Sequence, residues 1–194
     1  MKKSNIILSG VGGQGILTIA AAISLACLEE GLSTKQAEVH GMSQRGGAVQ
    51  SHLRISDTLI SSDLISKGDA DIILSVEPLE GLRYLPFLKK DGILVTNSKP
   101  FINVPDYPVL EDILEEVRML PANLIVDADK LARDLGSPRS SNIVMLGAAS
   151  SFICLDFKSL EAGVEEIFRR KGPEIVDVNL QALNLGREIA LKGN

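Results

Sequence analysis

The chain has 194 residues, 45% hydrophobic and 23% charged, the balance of a globular protein long enough to bury its own core. A net charge of −5 and 4% aromatic content without tryptophan argue against a nucleic-acid or anionic-lipid surface and against a base-stacking platform. The two cysteines, Cys27 and Cys154, sit in apolar surroundings with no CxxC spacing; both are expected as reduced core residues, and no metal ligands are assigned.

The opening MKKSNIILSG runs straight into a strand over Ile6–Leu8. Its apolar stretch is too short and broken for a signal peptide or a membrane span, so a cytoplasmic protein is expected. Ile16, Ile19, Ala20, Ile23 and Cys27 then repeat at helical spacing, and Leu17, Ala21, Leu25 and Leu28 widen the apolar face. This predicts a largely covered helix closed by Gly31. A second strand is expected from Thr34 to Val39. Beyond a polar, glycine-rich loop, Val49, Leu53 and Ile55 alternate with Gln50, His52 and Arg54, the pattern of a half-exposed strand with His52 structural or at the surface.

Ile72–Val76 reads as a strand, Pro78 as a helix start, Gly92 as its end and Ile93–Thr96 as the next strand. The segment KPFINVPDYPV, with three prolines, reads as a surface excursion. Leu124–Val126 is a further strand followed by a short helix. The last third is helical. Ser140 or Ser141 caps a helix carrying Ile143, Met145, Leu146 and Ala149, another spans about Ser159 to Arg169, and Pro173 opens the last. Its expected apolar stripe is Ile175, Val178, Ala182, Leu185 and Ile189. Strands alternating with helices, without linker or repeat, predict one domain over 1–194. The fold class is α/β, Rossmann-like, with a mainly parallel sheet and helices on both faces.

Two motifs carry chemistry. In GVGGQG, glycines 10, 12 and 15 fit G-x-G-x-x-G between a strand and a helix. Gly10 permits a tight turn, Gly12 and its neighbour Gly13 leave room for a phosphate to reach backbone amides, and Gly15 lets the helix lie close on the strand. The helix start offers unsatisfied N–H groups to an anion. Gln14 has a side chain available to a ligand or a partner. Glu38, at the end of the second strand, stands where a ribose-binding acid belongs. Cofactor-binding candidates are therefore Gly10, Gly12, Gly13, Gln14, Gly15 and Glu38. Against a nucleotide or phosphate site stands the alternative that these glycines serve tight packing only.

The second motif, EVHGMSQRGG, follows the second strand and is expected at the same carboxyl-end edge, where ligands bind in open α/β sheets. His40, Ser43, Gln44 and Arg45 put donors and a cation there, and Gly46-Gly47 allows close backbone approach. These four are the catalytic candidates; the alternative is a polar connecting loop.

Together GVGGQG, EVHGMSQRGGAVQSHLRIS and NIVMLGA resemble the gamma-type domain of 2-oxoacid:ferredoxin oxidoreductases over most of the chain. Among them the chain resembles most the beta subunits of the indolepyruvate enzymes, with gamma subunits of pyruvate or 2-ketoisovalerate enzymes close behind. The resemblance implies a subunit of a complex that converts a 2-oxoacid, coenzyme A and oxidised ferredoxin into acyl-CoA, carbon dioxide and reduced ferredoxin. Neither the GDG-to-asparagine signature of a thiamine site nor a cysteine cluster occurs in the sequence. The resemblance accordingly places thiamine diphosphate and iron–sulfur clusters on a large alpha subunit. It leaves for this chain a role in closing the active site and in holding the diphosphate of coenzyme A at Gly10–Gly15. Arg45 would pair with a phosphate or the substrate carboxylate, and His40, Ser43 and Gln44 would position substrate or complete the partner's pocket. Asn142 also matches a family position, beside a reading as a helix cap. Two functions of other classes compete: a structural or assembly module, and an independent NAD- or FAD-binding protein.

Overall fold

The computed structural model describes residues 2–40, 46–102 and 104–192, with His40 represented by its backbone alone. β1 (Lys3–Val11) sends Ile6 and Leu8 to one face and Ile7 to the other, all fully buried. Burial on both faces is why this segment reads as an unbroken apolar run. After it come α1 (Ile16–Glu29), β2 (Ser33–His40), β3 (Ala48–Ser56), β4 (Ala70–Ser75) and α2 (Pro78–Arg83). The chain continues through β5 (Leu88–Asn97), α3 (Leu110–Arg118), β6 (Asn123–Val126), α4 (Ala128–Asp134), α5 (Ser141–Ala149), α6 (Phe157–Phe168) and α7 (Pro173–Lys192).

The strands form one six-stranded sheet in the order β2-β3-β1-β4-β5-β6. β1, β4, β5 and β6 are parallel, as strands joined through helices should be. β3 runs antiparallel to both β1 and β2. The crossover through α1 thus places β2 one strand beyond β1's neighbour position, and β3 returns into the gap. On one face α1, α4, α5, α6 and α7 bury the main core. On the other, α2, α3 and the segment 57–69 enclose a smaller cluster around Ile7, Ile73, Leu94 and Val117.

Several local expectations change. β3 is mostly buried because segment 57–69 covers its polar face. The Arg54 guanidinium donates to the Ser62 and Leu64 carbonyls at 3.1 and 3.2 Å and to Asn5 Oδ1 at 3.0 Å. His52 Nδ1 accepts the Ile65 N–H at 3.0 Å, so His52 is structural. Gly92 does not close a helix. α2 ends at Arg83, a single 3₁₀ turn over Leu85–Phe87 leads into β5, and Gly92 lies inside that strand beside its register irregularity. There a Cβ would meet the Ala70 and Asp71 carbonyls at 3.0 Å. Ser140 sits at the α5 N-cap position but bonds Ser137 Oγ at 2.8 Å, not a helix amide. α1 is less covered than expected, with Leu17 and Leu28 exposed.

The face of α7 is also rotated. Its buried residues are Asn179, Ala182, Leu183, Gly186 and Ala190, while Ile175 is exposed. A Cβ on Gly147 of α5 would run into the Leu183 carbonyl, and one on Gly186 into the Val144 carbonyl. Two helices that cross this closely need their smallest residues at the contact, so bulk moves to the flanks. Gly163 of α6 lies in the same way on the Ala22 carbonyl of α1.

Cys27 is fully buried and Cys154 half-buried, both as free thiols, as expected. Burial pushes the Cys27 thiol up to about 12, far from a reactive thiolate. Among the described residues no helix is long and apolar enough to cross a membrane.

Candidate functional site

The carboxyl ends of β1, β4 and β5 form one edge, and both sequence motifs meet it. After β1 the chain turns through Gly12–Gly15 into α1. Gly13 and Gly15 have φ of +102° and +80°, left-handed values that strain any residue with a Cβ. Gly10 is required for a different reason, since a Cβ there would strike the Val76 side chain. Gly15 carries both constraints, because the Asn142 amide occupies the space its Cβ would take.

Gln14 acts as a strut within the turn. Its Oε1 accepts the Val11 N–H at 2.7 Å, and its Nε2 donates to the Val76 carbonyl at 3.3 Å. The Gly12 N–H donates to the Gly47 carbonyl at 2.9 Å. That bond ties the glycine turn to the far end of the second motif, as the shared-edge expectation required. Over the turn lies a pocket of about 290 Å³ lined by Val11 to Leu17 and by Val49. It opens on the start of α1, where Ile16 and Leu17 line it; the next two amides, Thr18 and Ile19, already donate to the Gly15 carbonyl at 3.1 and 3.3 Å.

The second motif is anchored at both ends of this edge. The His40 backbone pairs with Val49 at the end of β2, and Gly46 takes a φ of +78° before β3. The His40 side chain and residues Ser43, Gln44 and Arg45 lie outside the described residues. Glu38 is described and exposed on β2, where its carboxylate accepts from Gln36 Nε2 at 2.6 Å. β3 stands between β1 and β2, so Glu38 is two strands from the glycine turn, roughly 10 Å at ordinary strand spacing. A ribose acid in the simple dinucleotide fold sits one strand away, and this topology separates Glu38 from that position.

A second crevice, about 220 Å³, adjoins the first and shares Gln14 as a wall. Val76, Asn97, Phe101, Asp129, Ser141, Asn142 and Met145 complete it. Asn142 Nδ2 donates to the Gly15 carbonyl at 3.1 Å, which joins the start of α5 to the glycine turn. Asn97 donates to Asp129 Oδ2 at 2.7 Å and accepts the Ala128 N–H at 3.2 Å, so it fixes the start of α4.

Beside it, Glu77 is only 1% exposed. Its carboxylate caps α2 by accepting the Glu80 N–H at 2.8 Å, accepts the Phe101 N–H at 3.3 Å, and accepts from the Tyr107 hydroxyl. Burial, then the bond to Glu77, pushes the Tyr107 phenol well above its ordinary range. Burial also raises the Glu80 carboxyl, against the opposing pull of Arg83, whose Nε donates to it at 3.0 Å.

Sequence reading missed Glu77, Asn97 and Asp129. A signal was present: each is an early polar residue after an apolar strand, in IILSVE, ILVTN and LIVDAD. Those are the positions that a parallel sheet delivers to its carboxyl edge.

Residues 5–189 match the family described as pyruvate ferredoxin/flavodoxin oxidoreductase. The indolepyruvate oxidoreductase subunit IorB of Pyrococcus horikoshii is 39% identical over 98% of this chain and 97% of its own length. The ketoisovalerate oxidoreductase subunit VorA of Methanothermobacter marburgensis is 24% identical over 98% of this chain but only 37% of its own. In structure, a keto/oxoacid ferredoxin oxidoreductase gamma subunit from Geobacter sulfurreducens superposes with a TM-score of 0.71 and 26% identity, covering 97% of this chain and 99% of that one. The 2-oxoglutarate:ferredoxin oxidoreductase of Magnetococcus marinus, solved with 2-oxoglutarate, coenzyme A and succinyl-CoA bound, shares the fold at a TM-score of 0.78 and 22% identity. It covers 99% of this chain and 32% of that chain.

Proposed function

From the premise that this chain belongs to the pyruvate ferredoxin/flavodoxin oxidoreductase family, as a subunit of a 2-oxoacid:ferredoxin oxidoreductase, we propose that it serves an indolepyruvate enzyme. The complex, working in the cytoplasm, would couple oxidative decarboxylation of an aryl pyruvate to acyl-CoA formation and ferredoxin reduction. The observation that carries the substrate is the 39% identity to an indolepyruvate subunit, sustained over nearly the whole of both chains. The 24% identity to a ketoisovalerate subunit covers little more than a third of that protein.

A large alpha subunit would hold thiamine diphosphate and the iron–sulfur clusters, which supply the decarboxylation and the electron path. This chain's residues would close the carboxyl-edge pocket against water and seat coenzyme A. The donor set fits an anionic diphosphate in part. Ile16 and Leu17, the first two residues of α1, line a pocket bordered by Gly13 and Gly15 and would offer it their amides, while the Thr18 N–H is taken by the Gly15 carbonyl. The Gly12 N–H is already taken by Gly47, and both ends of the Gln14 amide are engaged within the fold. The pocket suits the diphosphate alone, not the whole coenzyme. Arg45 would pair with a phosphate or the substrate carboxylate, while His40, Ser43 and Gln44 orient substrate or complete the partner's pocket.

Reconstitution tests this. The chain alone should reduce no viologen dye, and adding the alpha subunit should give dye reduction that depends on indolepyruvate and coenzyme A. Activity of the isolated chain, or a preference for pyruvate in the complex, defeats the reading. Arg45→Ala should lower turnover with the protein still folded; unchanged kinetics remove Arg45 from the site.

A second reading has its own support. Gly10 against Val76 and Gly12 bonded to Gly47 are both explained by packing, so the glycine turn would serve assembly only. Gly12→Asp in the reconstituted complex separates the two. A raised KM for coenzyme A with assembly intact favours ligand binding, and lost assembly favours packing.

A further inference from the structure

The excursion after β5 is held in place more firmly than a surface loop requires. Glu77 grips it at two points, the Phe101 N–H and the Tyr107 hydroxyl, from a position almost wholly removed from solvent. Between and beside these points the strap turns apolar side chains outward: Ile102 is 70% exposed, Val109 65% and Val104 45%. A buried carboxylate spent on holding apolar groups in water is opposed by the hydrophobic effect unless something covers them. Asp106 and Asp112 are exposed beside it, while the nearby cation preceding it, Lys99, is paired with Asp129 at 3.7 Å.

The relatives differ in how much of the polypeptide this fold makes up. The fold makes up nearly the whole of the Pyrococcus horikoshii subunit, but about a third of the Magnetococcus marinus chain and of VorA. A surface that the longer proteins can cover with their own polypeptide needs a separate chain in the shorter kind. The strap also continues directly from the functional edge, since Phe101 lines the crevice with Gln14 and Asn142.

We propose that the strap around Ile102, Val104 and Val109, latched by Glu77, is the docking face for the larger subunit of the same oxidoreductase. The surface it fits on that subunit is an apolar groove edged by basic side chains. This rests on the reading of the chain as a non-autonomous subunit.

The test is co-purification of the large subunit with the wild-type chain, with an Ile102→Glu/Val109→Glu double variant, and with Leu28→Glu as a control. Leu28 is equally exposed but lies at the far end of α1, on the opposite edge of the sheet. Circular dichroism and thermal melting of each free variant establish that it is folded. The double variant should bind the large subunit at least about tenfold more weakly, the loss expected at apolar anchors of an interface, with Leu28→Glu unchanged. Wild-type-like binding of the double variant, or an equal loss in Leu28→Glu, overturns the docking face while leaving the subunit reading intact. Failure of the wild-type chain to bind overturns both. Self-association of the wild-type chain that the double variant abolishes, without any effect on binding the large subunit, also overturns it in favour of a second copy.

Discussion

The glycines of the helical layer and the glycines of the β1–α1 turn lack the same side chain for opposite ends. Gly147, Gly163 and Gly186 sit in helices where a Cβ would meet a neighbouring helix's backbone carbonyl. They serve density between packed helices. Gly13 has open space around its missing Cβ and is demanded by its backbone angle. Gly15 answers to both its angle and Asn142. Glycine that permits closeness supports the fold; glycine that permits an unusual conformation shapes the turn at the carboxyl edge of the sheet. Motif matching treats the two alike, and only geometry separates them.

The largest effect should come from the helical side. Gly147→Ala or Gly186→Ala pushes a methyl into a backbone carbonyl that cannot rotate away. A loss of about 3 kcal/mol, the upper end of overpacking costs, is expected in urea unfolding. A neutral result would mean that α5 and α7 separate easily and would break the contrast.

Next comes Glu77→Ala, which removes the α2 cap and leaves the Tyr107 hydroxyl and the Phe101 N–H without their acceptor. About 1–3 kcal/mol is expected, with faster proteolysis within residues 98–109. Stability lost without any change in cleavage would place the role of Glu77 in the cap alone. Gly15→Ala should cost about 1–2 kcal/mol from the left-handed φ and displace the Asn142 amide. It should also lower turnover of the reconstituted complex, which the helical glycine variants should affect only through stability. Gly13→Ala should carry the backbone cost without the Asn142 displacement.

The smallest effect is at His52. Burial lowers its pKa from the ordinary value, and its Nδ1 must stay unprotonated to accept the Ile65 N–H. A base depressed in the folded state binds its proton more readily when unfolded. Its contribution is therefore present above the unfolded value, about 6.5, and is lost as pH falls from there toward the lower folded value. The ring is packed edge-to-face on Phe87, with centroids 5.3 Å apart. Melting temperature should fall between pH 7 and 5, and the fall should be shallower in His52→Gln. Identical slopes would exclude His52 as the source.

Much of this was legible in the residues. The apolar run of β1, the period of α1 and Pro173 at the head of α7 all follow local rules that the fold respects. The joining of the two motifs was legible too, because a parallel strand delivers its following loop to one predictable edge. The insertion of β3 between β1 and β2 was not. Alternation in AVQSHLRIS identifies a strand but carries no record of its neighbours, and that insertion is what moved Glu38 away from the turn. The rotated face of α7 was hidden for a related reason: bulk marks burial only where helices stand at ordinary distance. Glu77 escaped notice because buried carboxylates are rare and need partners, and two of its three partners, Phe101 and Tyr107, are remote in sequence.

The sequence by itself determined the class of fold, the family and the edge at which the two motifs meet. All three depend on short-range pattern: hydrophobic period, glycine spacing and motif order. Tertiary structure alone decided that Gln14 is a strut, that Asn142 fills the space left by Gly15, and that Glu77 latches an apolar strap. Each of these is a contact between segments far apart in the chain, and its partner is chosen by packing, which no local pattern encodes.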